Sequence, residues 1–218
     1  MKTCAMAVAK AACGLVVVLA TLSGGARAQN PRQPGKYDYY LLTLSWSPEF
    51  CAIQGTGAEC AAHPGFIVHG LWPENFDGTY PASCDPSRPG PGHPEQNMDI
   101  TPDASLLEHE WVKHGTCTTL TPDAFFGLER RAFRSVKIPA FFAKLDHEVE
   151  VKTDAVVTMF SEANPALPAG SVVVSCREGR LSAVEVCLAK DGLKPIACGE
   201  VGLACRAQEI RVVPEVAK

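Results

Sequence analysis

Hydrophobic and polar positions divide the chain into distinct stretches. Tyr37 to Trp46 (YDYYLLTLSW) is aromatic and partly alternating, the pattern of a strand. Ser47-Pro48 ends it, and Cys51 to Cys60 reads as a short loop. Gly65 to His69 (GFIVH) predicts a second, buried strand that delivers His69 at its end. Residues 73–102 are rich in Pro, Gly and Asp and predict a long irregular segment, with Cys84 placed to tie it down. Ala104 to His114 has helical spacing. Thr121 as N-cap with Pro122 at the first helical position opens another helix, running to about Ser135. Pro139 to Leu145 and Asp154 to Asn164 predict two shorter helices. Ser171 to Cys176, Leu181 to Leu188 and Ile210 to Val213 are β-branched and strand-like. Strands and helices do not alternate regularly, so the expected class is α+β, a central antiparallel β-sheet flanked by several α-helices.

The first 28 residues stand apart. Met1-Lys2 and Lys10 precede an apolar core from Ala11 to Leu22, and Ala26-Arg27-Ala28 follows with small residues at its first and third places. This is the layout of a secretory signal, predicted to be cleaved after Ala28, with a core too short to span a bilayer comfortably. Residues 29–218 then form a single domain. Removing Lys2, Lys10 and Arg27 from 20 basic residues leaves 17 against 24 acidic, a net charge of −7. That charge argues against a broad basic surface for nucleic acid, so any action on nucleic acid has to rest on a local site. Of 10 cysteines, Cys4 and Cys13 leave with the leader, and the remaining eight predict four disulfides in an oxidising compartment, secreted or periplasmic. Spacing alone does not choose among their connectivities. The mature part has no C-x2-C pair, which opposes a zinc site.

Two segments carry chemistry: His69-Gly70-Leu71-Trp72-Pro73, and Glu108 to Cys117 (EHEWVKHGTC). They hold three of the six histidines. At about 100° per residue, His109, Lys113, Glu110 and His114 fall within one helical face, with Leu107, Trp111 and Val112 on the remainder. Zinc helices space two histidines four apart; here His109 and His114 are five apart with Lys113 between them, so no metal is expected. Trp46 and Trp111 are assigned to the core, and His63, His93 and His147 to the surface.

The pair HGLWP and HEWVKHGTC closely resembles the two active-site signatures of the ribonuclease T2 family, secreted acid ribonucleases. Tyr39 to Cys51 (YYLLTLSWSPEFC) is similar to that family's first strand. The resemblance implies an endoribonuclease that needs no cofactor. In this chemistry the ribose 2′-hydroxyl attacks the adjacent phosphorus, giving a 2′,3′-cyclic phosphate and then a 3′-phosphate. A base must take the hydroxyl proton, an acid must protonate the leaving 5′-oxygen, and cationic or hydrogen-bonding groups must steady the charge on phosphorus. By resemblance His114 is the base, His69 the acid, Lys113 and Glu110 stabilise the transition state, and His109 holds the phosphate. The residues alone do not say which histidine is which. Trp72, Glu74 and Tyr80 fall where family members stack and hydrogen-bond a base, although fungal relatives carry Asp where this chain has Glu74. The resemblance also implies the bridges Cys51–Cys60, Cys84–Cys117, Cys176–Cys205 and Cys187–Cys198. The implied partner is single-stranded RNA, with low base specificity. DNA lacks the 2′-hydroxyl and is not cut, no membrane is involved, and the protein is expected to be a monomer. Two imidazoles sharing acid and base duties predict a bell-shaped rate with a mildly acidic to neutral optimum. The competing reading is a catalytically silent binding or storage protein on the same scaffold.

Overall fold

In the computed structural model, residues 29–215 are described apart from 31–32, 55, 63–64 and 203, so the expected leader with its expected cleavage point and His63 lie outside the described residues. The first half of the chain gives β1 (Gln29–Asn30), β2 (Tyr39–Trp46), α1 (Ser47–Gln54), α2 (Ala58–Ala62), β3 (Phe66–Glu74), β4 (Tyr80–Pro81) and α3 (Ala104–Lys113). The second half gives α4 (Pro122–Arg134), β5 (Val149–Lys152), α5 (Thr153–Ala163), β6 (Val172–Arg177), β7 (Arg180–Ala189) and β8 (Glu209–Val212). This is an α+β fold around a six-stranded sheet ordered β3-β2-β7-β8-β5, with β6 also paired to β7. Within this sheet pairing is antiparallel except where β7 meets β8, while β1 and β4 form a separate parallel pair.

β2 is central and covered on both faces, which explains its nearly unbroken apolar run. Tyr40, Leu42, Leu44 and Trp46 enter the main core with Trp111, Phe125, Phe142 and Phe160, while Tyr39 and Leu41 pack with Cys187 on the opposite face. Helix α3 starts where its cap dictates: the Asp103 carboxylate accepts from the N–H groups of Ser105 (2.8 Å) and Leu106 (3.3 Å). Thr121 caps α4 in the same way, with Pro122 in its first turn.

Three expectations change. The Cys51–Cys60 segment is mostly helical, spanned by α1 and α2, because the bridge across it closes a compact turn rather than an open loop. Pro139 to Leu145 yields only a 3-10 turn at Phe142–Lys144; Phe142 is buried against Trp46 and Phe66, so packing decides its conformation. The strand expected to end at His69 continues to Glu74. His69 is therefore not at a strand end but at a bulge, since Thr43 pairs with Gly70 while Leu44 pairs with Val68.

Four disulfides join Cys51–Cys60, Cys84–Cys117, Cys176–Cys205 and Cys187–Cys198. The second ties the proline-rich segment to the end of α3, and two neighbouring contacts reinforce it. The Ser83 N–H donates to the Lys113 carbonyl at 2.8 Å, with Ser83 in the left-handed region at φ 50°. The Arg88 guanidinium donates to the carbonyls of Thr116, Thr118 (2.9 Å) and Leu120 and lies 4.8 Å over the Trp111 ring. Arg88→Met should therefore lower unfolding free energy by roughly 1.5–3 kcal/mol, the range for hydrogen bonds to a charged group. A urea titration checks this; a midpoint unchanged from the parent protein would remove Arg88 from the clamp.

Candidate active site

β3 and α3 bring the two sequence segments together. The bulge releases His69 from the strict alternation of β3. Its Nδ1 is held by the Ser45 hydroxyl on β2 at 2.9 Å, and its Nε2 lies 3.5 Å from Glu110 Oε1. From the last turn of α3, His114 Nε2 lies 3.9 Å from Glu110 Oε2. One carboxylate thus faces both imidazoles, one oxygen to each. Trp72 completes the cluster: its Nε1 donates to Glu110 Oε2 at 2.6 Å.

Such closeness needs a residue without a side chain beneath it. A Cβ at Gly70 would collide with the Glu110 carboxylate and stand 2.5 Å from Trp72 Nε1. Gly115 serves the other side of α3 in the same way, because a Cβ there would strike the Trp111 ring. These close approaches are the physical content of the glycines in HGLWP and HGTC.

The polar face predicted for α3 is divided in two. Glu110 and His114 are buried, whereas His109 is exposed and Lys113 half-buried. Burial pushes the His114 pKa down to about 3; Glu110 opposes that shift, and Lys113, His69 and His109 add to it. Burial alone would raise the Glu110 carboxyl. The His69 hydrogen bond, the charges of His114 and His69 and the Trp72 N–H together outweigh burial and hold it below its ordinary value. Burial thus favours the neutral imidazole at His114, and the contacts around Glu110 favour its ionised carboxylate.

A cavity of about 550 Å³ opens beside these groups, with His69 and His109 on its wall and Ser45, Phe50, Ile53 and Glu59 among its other lining residues. Of the three residues expected to meet a base, Trp72 lies inside the cluster. Its indole stacks on the His114 ring (centroids 5.0 Å apart, 16° between planes) and meets His69 edge-on. Tyr80 is half-buried, its ring 6.4 Å from that of His114. Glu74 is buried at the end of β3, opposite Tyr39. Among the described residues no group of three or more His, Cys, Asp or Glu is arranged to hold a metal ion.

Two contributors escaped the sequence. Ser45 carries no motif; only its place on β2, next to the β3 bulge, brings it to His69. Glu129 on α4 is fully buried, and its carboxyl feels the Glu110 charge. Its signal was present in the helical spacing of Phe125, Glu129 and Ala132, which puts an acid on an apolar stripe.

The family model described as Ribonuclease T2 family matches residues 37–198. The chain belongs to the ribonuclease T2 family. Within that family it is 39% identical to a ribonuclease of Aeromonas hydrophila over 118 residues, 52% of this chain and 54% of that one. It is 26% identical to ribonuclease DdI of Dictyostelium discoideum over 218 residues, 88% and 92% of the two chains. The chain thus spans about half the length of the Aeromonas ribonuclease and most of the Dictyostelium one. The T2 fold itself is seen in the crystal structure of RNase NT in complex with 5′-AMP, at a TM-score of 0.63 and 20% identity over 83% of this chain and 99% of that one.

Proposed function

We propose that this T2-family protein is an endoribonuclease that cleaves single-stranded RNA by attack of the 2′-hydroxyl. It leaves a 2′,3′-cyclic phosphate that is then hydrolysed to a 3′-phosphate. The observation that carries this reading is the convergence of two imidazoles on one buried carboxylate, His69 at 3.5 Å and His114 at 3.9 Å. His114, neutral above about pH 3, is suited to accept the 2′-hydroxyl proton. His69, part-exposed and oriented by Ser45, is then left to protonate the departing 5′-oxygen. Glu110 holds both rings in register, while Lys113 and His109, nearer the solvent, meet the phosphate and its developing charge.

RNase NT with its bound 5′-AMP supports a nucleotide as the ligand here. The cavity beside His69 has room for a base and sugar adjoining the scissile phosphate, and Tyr80 and Trp72 offer ring faces that any base can stack on. Four disulfides fit an oxidising compartment. With the leader pattern they support export and cleavage after Ala28, leaving residues 29–218 as one catalytic domain that acts as a monomer away from membranes.

The test is incubation of the protein with one sequence as single-stranded RNA, duplex RNA and single-stranded DNA, all in excess chelator. The expected outcome is cleavage of the single-stranded RNA far ahead of the duplex, with cyclic phosphate ends appearing first and the DNA intact. RNA left whole in every condition would make the protein a silent binder on this scaffold.

A further inference from the structure

We propose that Trp72 is a positioning residue for catalysis, an indole that fixes the Glu110 carboxylate and spaces the two imidazoles on either side of it. The proposal rests on the ribonuclease reading for what is positioned, but the geometry stands by itself. The Trp72 Nε1–H donates to Glu110 Oε2 at 2.6 Å, and the same oxygen is the one facing His114. That bond fixes the rotation of the carboxylate, leaving Oε1 turned towards His69. Without it only the longer His69 and His114 contacts restrain the terminal Glu110 torsion, which is broad and roughly two-fold, and the one-oxygen-per-imidazole arrangement loosens.

The ring does the rest. It lies parallel to His114 at 5.0 Å and 16° and edge-on to His69 at 5.4 Å and 86°. It therefore sets the separation of the two imidazoles and covers one face of His114. Gly70 leaves the space in which the Trp72–Glu110 bond forms, so two residues of HGLWP serve a contact made to the other motif. An aromatic whose purpose was only to receive a base would need none of these three contacts.

Removing the ring also uncovers His114. The charged or titratable groups around that imidazole are Glu110, Lys113 and His109 on α3, and His69 on β3, with the Tyr80 phenol on β4. All of these groups remain in a Trp72 variant, and Trp72→Phe and Trp72→Leu both release the Glu110 carboxylate, so a further movement of the His114 titration in Trp72→Leu reports the lost cover.

Two variants separate the indole's jobs. Trp72→Phe keeps a ring and loses the donor; Trp72→Leu loses both. Turnover and KM on single-stranded RNA are measured across pH 3–8, and His114 is titrated by NMR without substrate. Trp72→Phe should lower kcat on the order of ten-fold with KM within about two-fold, and Trp72→Leu should lower kcat on the order of a hundred-fold. In Trp72→Leu the His114 titration should also move upward by at least one pH unit. A rise in KM alone, with kcat and the His114 titration unchanged in both variants, would make the ring a platform for substrate and overturn the proposal. If Trp72→Leu does not fold, the kcat–KM split in Trp72→Phe decides. If the parent protein cuts no RNA, the ribonuclease reading fails, whereas the titration still tests the positioning.

Discussion

Replacing His114 with alanine should lower turnover of single-stranded RNA by a factor on the order of 10²–10⁴, with the fold intact. His69→Ala should cost a similar factor, because each imidazole takes one half of the proton traffic. Substrate binding should change less than turnover, since phosphate and base are met by other groups. The pH profile sharpens the test. An unperturbed pair of histidines would give a mildly acidic to neutral optimum, but burial pushes the His114 pKa down to about 3 in the free protein. The acidic limb of kcat/KM, which reports free-enzyme groups, should therefore lie below pH 4, and activity should persist well into acid. The residual rate of His114→Ala should lack that limb. A variant that turns over normally would remove His114 from the role of base, whereas a parent whose activity vanishes below pH 6 would mean that burial does not keep its imidazole neutral in acid.

Much of this site was legible because its parts are local. The α3 boundaries follow from Asp103 and the apolar spacing of Leu107 and Trp111, and His114 falls in the last turn, where the helix ends against Gly115. What periodicity missed depends on contacts distant in sequence. A wheel drawn for α3 places His109, Glu110, Lys113 and His114 together, yet β3 packs against only part of that arc, so two are buried and two face outward. The same strand misled at His69. Read alone, GFIVH ends in a polar residue and looks finished; paired with β2, it takes up one extra residue and runs on through Trp72. Helices α1 and α2 are short, α1 is only weakly amphipathic, and the Cys51–Cys60 bridge joins them. Strand β5 (Val149–Lys152) alternates apolar and charged residues over only four positions, too few to stand out until β8 pairs with it.

Glu129 gives the second large effect, on stability. Burial pushes its carboxyl well above the ordinary carboxylate range, and the negative charge of Glu110 pushes the same way, against smaller opposing effects from the Leu71 backbone and Arg130. The folded protein therefore keeps this proton, while the unfolded chain releases it near the ordinary value of about 4.3. Its stabilising contribution is complete below that value and is lost as pH rises towards the folded pKa, at up to about 1.4 kcal/mol per pH unit. His114 has the opposite sign: its depressed folded pKa favours the fold above the ordinary imidazole value of about 6.5, and that gain is lost as pH falls. A single stability curve mixes the two, so the measurement is a difference. Glu129→Gln keeps size and polarity and cannot ionise. Urea unfolding of both proteins from pH 4.5 to 8 should show the variant gaining on its parent as pH rises, at up to about 1.4 kcal/mol per pH unit, until the folded pKa of Glu129 is passed. Parallel curves would mean that Glu129 is ionised in the fold. The charge of Glu110 adds a check on the cause: in a Glu110→Gln background Glu129 ionises more easily, and the gain from Glu129→Gln should shrink.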